Sequence, residues 1–156
     1  MFSITVVSRP ALSLVGMCVR TTMIDAPVDC SRLWHETFAP RMGEFSTCCA
    51  DESYGISRVV DEATGAFDYW AAVPVPEDFP VPAGMAPATL PAGLYAHTHV
   101  PSLDMLHQAY TAIFKTWLPS QKAYTVNIEA PSYERYPAEY LKTGTFELFF
   151  PVKTMG

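Results

Sequence analysis

Phe146-Glu147-Leu148-Phe149-Phe150-Pro151-Val152 is an apolar, aromatic run with one carboxylate set in its middle. A half-buried strand alternates apolar and polar residues. Here Glu147 is flanked by large apolar side chains, which predicts a strand covered on both faces or lining a pocket with one of them. A buried carboxylate is costly unless it finds a partner or takes up a proton. Three environments meet that need: a pocket that receives a cationic ligand, a sheet edge where the carboxylate stays in water, or satisfaction within the chain by Arg135 or Lys153. In a pocket empty of ligand, burial is expected to favour the protonated form of Glu147.

Working back along the chain, the same order of elements occurs twice. Ser3 to Val7 and Leu14 to Arg20 predict strands, separated by Pro10. Asp29 or Ser31 caps a helix through Arg32–Phe38, with Trp34 and Phe38 four apart on one face. Tyr54 to Val60 and Phe67 to Val73 predict a hairpin around Asp61-Glu62-Ala63-Thr64-Gly65. Pro74, Pro76, Pro80, Pro82, Pro87 and Pro91 then crowd into one segment. So few backbone donors exclude a helix interior or a central strand there and predict a stiff connector over 76–91.

Beyond the connector, Gly93 to Val100 predicts a strand. Pro101-Ser102 opens a helix with Leu103, Leu106, His107, Tyr110, Ile113, Phe114 and Trp117 marking an apolar stripe near the 3.6-residue period, stopped by Pro119. Tyr124 to Glu129 predicts a strand, Pro131 to Thr145 a long loop, and Phe146 to Val152 the final strand. Gly16 and Gly93, and likewise Pro74 and Pro151, stand at one common separation, with Tyr54 set against Tyr124. Such internal similarity predicts a duplicated unit. The fold expected is α+β: two strand-helix-strand-strand halves, about 1–75 and 92–153. They share one antiparallel sheet, with two helices on one face and a ligand cleft at the pseudo-twofold. The common separation also carries Glu147 onto Trp70, so a carboxylate and a large ring are expected to face the cleft from opposite walls, where a flat cation would meet both.

Composition narrows the function. The 156 residues suit one domain, with 49% hydrophobic and 17% charged residues. A net charge of −6 without a basic stripe argues against direct nucleic-acid binding. No run of about 18 apolar residues is present, so no membrane span is expected, and the first residues do not read as a signal peptide. Cys18, Cys30, Cys48 and Cys49 match neither zinc spacing nor a disulfide framework, and are expected as free thiols in a reducing cytoplasm. His97 and His99 share a strand face with Tyr95. Two such histidines can chelate a metal, but spacing supplies no third ligand, so polar lining or a solvated edge is expected, with neither metal nor cofactor. Glu134-Arg135 is expected as a surface or loop ion pair.

These residues resemble the GyrI-like effector-binding domains. The run Phe146 to Lys153 is similar to that family's terminal signature, an acidic residue followed by apolar residues and Pro. Tyr133-Glu134-Arg135-Tyr136 resembles the preceding Glu-Arg-aromatic segment, and Leu118-Pro119 fits after the second helix. The resemblance spans nearly the whole chain. It implies a stand-alone small-molecule-binding domain in which Glu147 matches the pocket glutamate. No helix-turn-helix region accompanies the domain, so it is not expected to bind DNA itself. The ligand-binding residues expected are Glu147, Trp70, Phe149, Trp34, Tyr110, Tyr95 and His97. The ligand expected is an amphipathic, often cationic, aromatic compound held without catalysis, and no catalytic residue is assigned. Two alternatives stand beside this: hydrolysis of cyclopropane-type toxins by Glu147 with Glu129 or Glu134, and inhibition of DNA gyrase through a protein contact. The sequence sets no oligomeric state.

Overall fold

The structure, a computed structural model, describes residues 2–45 and 52–155. Cys48 and Cys49 lie outside them. Nine antiparallel strands among the described residues form one sheet. They are β1 (Thr5–Arg9), β2 (Leu12–Thr21), β3 (Ser53–Asp61), β4 (Ala66–Pro74), β5 (Ala86–Leu90), β6 (Gly93–Val100), β7 (Tyr124–Val126), β8 (Ser132–Tyr136) and β9 (Phe146–Thr154). Their order is β1-β6-β9-β8-β3-β4-β2-β5, with β7 beside the end of β9. Each half supplies three consecutive strands, β2-β4-β3 and β6-β9-β8, and β3 pairs with β8 at the join. The leading strands are exchanged: β1 pairs with β6 of the second half, and β5 with β2 of the first.

The helices lie on one face. α1 (Ala26–Arg32) passes without a break into a π-wound turn, Leu33–Phe38, and a 3-10 stretch, Ala39–Phe45. α2 (Leu106–Thr111) continues in the same way through a π-wound Ala112–Trp117 into the short α3 (Leu118–Ser120). Wide winding of this kind is rare and often found at functional sites. It occurs here at matching places in both halves. Leu33 and Phe38, from the π-wound turn after α1, pack on Val15, Met17, Tyr69, Ala71 and Val73. Ala109 of α2 and Ile113 of its π-wound continuation pack on Ala96, Val100, Phe146, Leu148 and Val152. The opposite face is also buried, with Leu14, Tyr54, Ile56, Tyr95, Tyr133 and Phe149 in one cluster. Val7 of edge strand β1 and Ala88 and Leu90 of edge strand β5 pack on that same cluster. The sheet therefore curls until its two edges shield its own inner face.

The α+β duplication is as expected, with several corrections of detail. Pro131 to Thr145 is not a loop: Ser132–Tyr136 forms β8, a central strand, and α4 (Tyr140–Thr143) follows, ended by Gly144 at φ 73°. Tyr-Glu-Arg-Tyr hides its strand because both faces are covered, so no simple apolar-polar alternation appears. The register changes the internal match. Leu14 pairs with Pro74 and Tyr95 with Pro151, so laying Pro74 on Pro151 puts Leu14 on Tyr95 and Gly16 on His97, not on Gly93. Tyr54 pairs with Ala72 and Tyr133 with Phe149, so the counterpart of Tyr54 is Tyr133, not Tyr124. The proline-rich segment ends in a strand, but an edge strand, where a missing donor is tolerated. Neither Asp29 nor Ser31 caps α1. It begins at Ala26 with Pro27 in its first turn, and Asp29 instead accepts a hydrogen bond from Thr21 Oγ1 at 2.8 Å. Pro119 does not stop the second helix but sits at the start of α3. The hairpin turn forms as expected, with Gly65 at φ 77° and its N–H on the Asp61 carbonyl at 2.9 Å.

Candidate functional site

A strand turns alternate side chains to opposite faces, so Tyr133-Glu134-Arg135-Tyr136 serves two sites at once. Glu134 and Tyr136 rise toward the helices; Tyr133 and Arg135 point into the curl. Glu134 is 2% exposed, at the join between the halves and beneath both helices. Its Oε1 accepts from Tyr136 at 3.1 Å and Tyr69 at 3.4 Å, and its Oε2 from Tyr110 at 3.1 Å. Trp34 Nε1 donates to Tyr69 Oη at 2.8 Å, and the Trp34 ring meets Tyr136 edge-on at 5.8 Å. Tyr110 Oη also meets Ser132 Oγ at 3.1 Å. β8 thus supplies Glu134 and Tyr136, β4 Tyr69, the π-wound turn after α1 Trp34, and α2 Tyr110.

No cation is paired with Glu134 among the described residues. Burial pushes its carboxyl up to about 7, against the three tyrosine hydrogen bonds that favour the ionised form. Burial, and then the Glu134 charge, raise Tyr69, Tyr110 and Tyr136 well above the usual phenol range, so all three remain protonated donors. Gly55 faces Glu134 across the β3–β8 ladder. A Cβ there would lie 2.2 Å from Tyr69 Oη and 2.7 Å from Glu134 Oε1, so the cage needs the missing side chain. The expected loop ion pair is therefore corrected. Glu134 and Arg135 sit on opposite faces of a central strand, and Glu134 is buried.

Inside the curl the expected residues keep different company. Arg135 Nη1 donates to Glu147 Oε2 at 2.5 Å, and Arg135 Nε pairs with Glu52. His97 Nε2 meets Glu147 Oε1 at 2.7 Å. The His97 hydrogen bond, assisted by Arg135, holds Glu147 down at about 2 despite its partial burial. The expectation of a protonated Glu147 is thus overturned: satisfaction within the chain by Arg135, the alternative open in the sequence, is what forms. Phe149 stacks on Tyr133 at 4.8 Å, carries the Arg9 guanidinium at 4.7 Å, and meets Tyr95 edge-on. Tyr95 donates to the Pro91 carbonyl at 3.0 Å.

Trp70 also lies on this face, but three strand spacings from β9, roughly 14 Å across a flat sheet. It pairs with Ile56, whose row leads to Tyr133 and Phe149 rather than to Glu147. The expected carboxylate and ring on opposing walls do not face each other. Trp70 instead lines a cavity of about 130 Å³ with Ile56, Arg58, Ala88, Thr89 and Pro131. Of the seven residues expected, only Trp34 and Tyr110 join Glu134. The two-carboxylate arrangement for hydrolysis does not form either: Glu147 and Glu134 project from opposite faces, and Glu129 is exposed in a loop. Sequence reasoning missed Tyr69 and Tyr136, and named Glu134 only for the hydrolytic alternative and for an ion pair with Arg135. The available signal was Tyr-Glu-Arg-Tyr itself, too aromatic for an exposed loop.

No helix among the described residues is long and apolar enough to cross a membrane. The family profile described as integron-associated effector binding protein, Cass2, matches residues 5–152. The transcriptional regulator BrlR of Pseudomonas aeruginosa is 38% identical over 112 residues, which cover 70% of this chain and 39% of that protein. The chain thus spans about two fifths of that regulator's length. Solved structures share the fold, and two of them illustrate it. SAV2435, bound to tetraphenylphosphonium, has a TM-score of 0.72 at 18% identity, covering 97% of this chain and 94% of its own. An integron cassette protein from the mobile metagenome of Vibrio cholerae has a TM-score of 0.65 at 15% identity, covering 96% and 95%. With its GyrI-like architecture and a profile match across both halves, this chain belongs to the integron-associated effector binding protein family.

Proposed function

We propose that this domain binds a monovalent aromatic cation in the cleft between α1 and α2, with Glu134 at its base and Trp34, Tyr69, Tyr110 and Tyr136 around it. The observation that carries this is a fully buried carboxylate ringed by aromatic groups and paired with no cation among the described residues. An incoming cation replaces the proton on Glu134 and meets the ring faces. Attraction at 4 Å is about 4 kcal/mol at an intermediate effective dielectric, before desolvation is subtracted. A surplus of about 1.4 kcal/mol already gives a tenfold preference over a neutral analogue. Trp34 and Tyr110 close the cleft, so binding requires the two helices to part. The tetraphenylphosphonium held by the structurally similar SAV2435 makes that ion a suitable probe.

The test is calorimetric titration with tetraphenylphosphonium and with neutral triphenylphosphine oxide, at pH 6 and pH 8. In the parent protein the cation should bind several-fold more tightly at pH 8, where Glu134 has lost its proton. Glu134→Gln should weaken the cation at least tenfold at pH 8 and leave the neutral compound nearly unchanged. Glu147→Gln, on the other face of the sheet, should leave both within about twofold. If Glu134→Gln keeps full affinity for the cation while Glu147→Gln loses it, the binding site lies inside the curl and the proposal fails.

A further inference from the structure

Inside the curl, β6 and β9 bring together three groups that lie outside the cleft proposed above. His97 and His99 project from one face of β6, and Glu147 stands opposite His99 in the ladder. One ligand atom from each lies within 4.8 Å of the others. The histidine rings are 5.0 Å apart and nearly perpendicular. We propose that His97, His99 and Glu147 form a binding site for a divalent transition-metal ion of the zinc type.

The geometry has the marks of a metal site with a proton in the metal's place. His97 Nε2 and Glu147 Oε1 share that proton at 2.7 Å. Two imidazoles and one carboxylate are an established zinc donor set, with bonds of about 2.0–2.2 Å, which hold ligand atoms roughly 3–3.5 Å apart. His97 and Glu147 meet that spacing after a small separation. His99 is exposed and must swing inward by about 1–1.5 Å, within the reach of a rotamer adjustment. The carboxylate is oriented from outside the triad. Arg135 holds Glu147 Oε2 and leaves Oε1 for the metal, as expected of a supporting shell. The Arg135 charge is itself offset by Glu52. With neutral histidines, the group Arg135, Glu52 and Glu147 carries a net charge of −1, which favours a dication. Exposure on the His99 side leaves the remaining coordination positions to water or to a ligand. This is the third group that sequence spacing could not supply, because Glu147 reaches the histidines only through strand pairing.

The test titrates the tag-free full chain with Co²⁺, followed by its visible d–d absorption, and then displaces it with Zn²⁺. One ion per chain should bind, with nitrogen and oxygen donors and no sulfur-to-cobalt charge-transfer band. His99→Ala and Glu147→Gln should each weaken binding at least tenfold, while His35→Ala, an exposed histidine elsewhere, should change nothing. Circular dichroism without metal should show the His99→Ala fold intact, since that side chain is exposed. Charge-transfer bands would assign the ion to the cysteines and overturn the proposal. Unchanged affinity in His99→Ala would overturn it as well. So would unchanged affinity in Glu147→Gln, which would leave only a surface histidine pair.

Discussion

Glu134 and Glu147 carry the same side chain, and their surroundings drive them in opposite directions. Glu134, lifted to about 7 by burial, keeps a proton in the folded state that the unfolded chain releases in the ordinary carboxylate range. Stability should therefore fall as pH rises from about 4.5 to 7 and level off above that. At about 1.4 kcal/mol per unit, the loss from this one group is roughly 3 kcal/mol. Urea unfolding between pH 5 and 8 should show that fall in the parent and not in Glu134→Gln, which should be the more stable protein at pH 8. Parallel curves for the two would mean that the carboxylate is compensated in a way its neighbours do not reveal. Gly55→Ala probes the same cage from the facing strand. Its methyl group would displace Tyr69 or Glu134, at a cost of about 1–3 kcal/mol, and should weaken tetraphenylphosphonium in proportion. Little of this was legible in the sequence. Glu147 drew attention by its apolar neighbours, but its partners His97 and Arg135 are 50 and 12 residues away and arrive only by pairing. Glu134 stood in plain view beside an arginine, and nothing local says that the two project from opposite faces.

At the level of elements, period-2 alternation located most strands to within two residues, and Gly93–Val100 without error. It failed where both faces are covered, at β8, and where proline marks an edge rather than a break, at β5. The helices were found from their apolar stripes, but π winding leaves no mark in composition and was not foreseen. β2 holds a further constraint. Gly16 packs against β4 so closely that a Cβ would lie 2.0 Å from the Ala71 carbonyl oxygen and 2.7 Å from the Ala72 Cα. Backbone cannot yield as a side-chain tip can, so Gly16→Ala should cost about 3 kcal/mol or more and lower the urea midpoint clearly. Gly93→Ala, with nothing near its missing side chain, should leave the midpoint close to the parent value. Equal effects at the two glycines would mean that the β2–β4 approach relaxes freely.

Over the whole molecule, the exchange of β1 and β5 makes each half depend on the other. The first half lacks the strand that covers β2, and its own β1 has its partner, β6, in the second. Expressed separately, residues 1–75 and 76–156 should show no cooperative thermal transition by circular dichroism, and mixing them should restore one. Independent folding of either half would show that the exchanged strands are dispensable. The duplication is nonetheless imperfect at its centre. With Tyr54 laid on Tyr133, the counterpart of Glu134 is Gly55, and these two face each other across the join. A symmetric centre would hold two acids, repelling at short range and offering a guest two equivalent poses. Here one place holds the acid, and at the other, a glycine, the Tyr69 hydroxyl and the Glu134 carboxylate themselves take the room of a side chain. A guest drawn to Glu134 would have one charged end to satisfy and one direction in which to lie, so a pseudosymmetric fold can seat an asymmetric molecule without ambiguity.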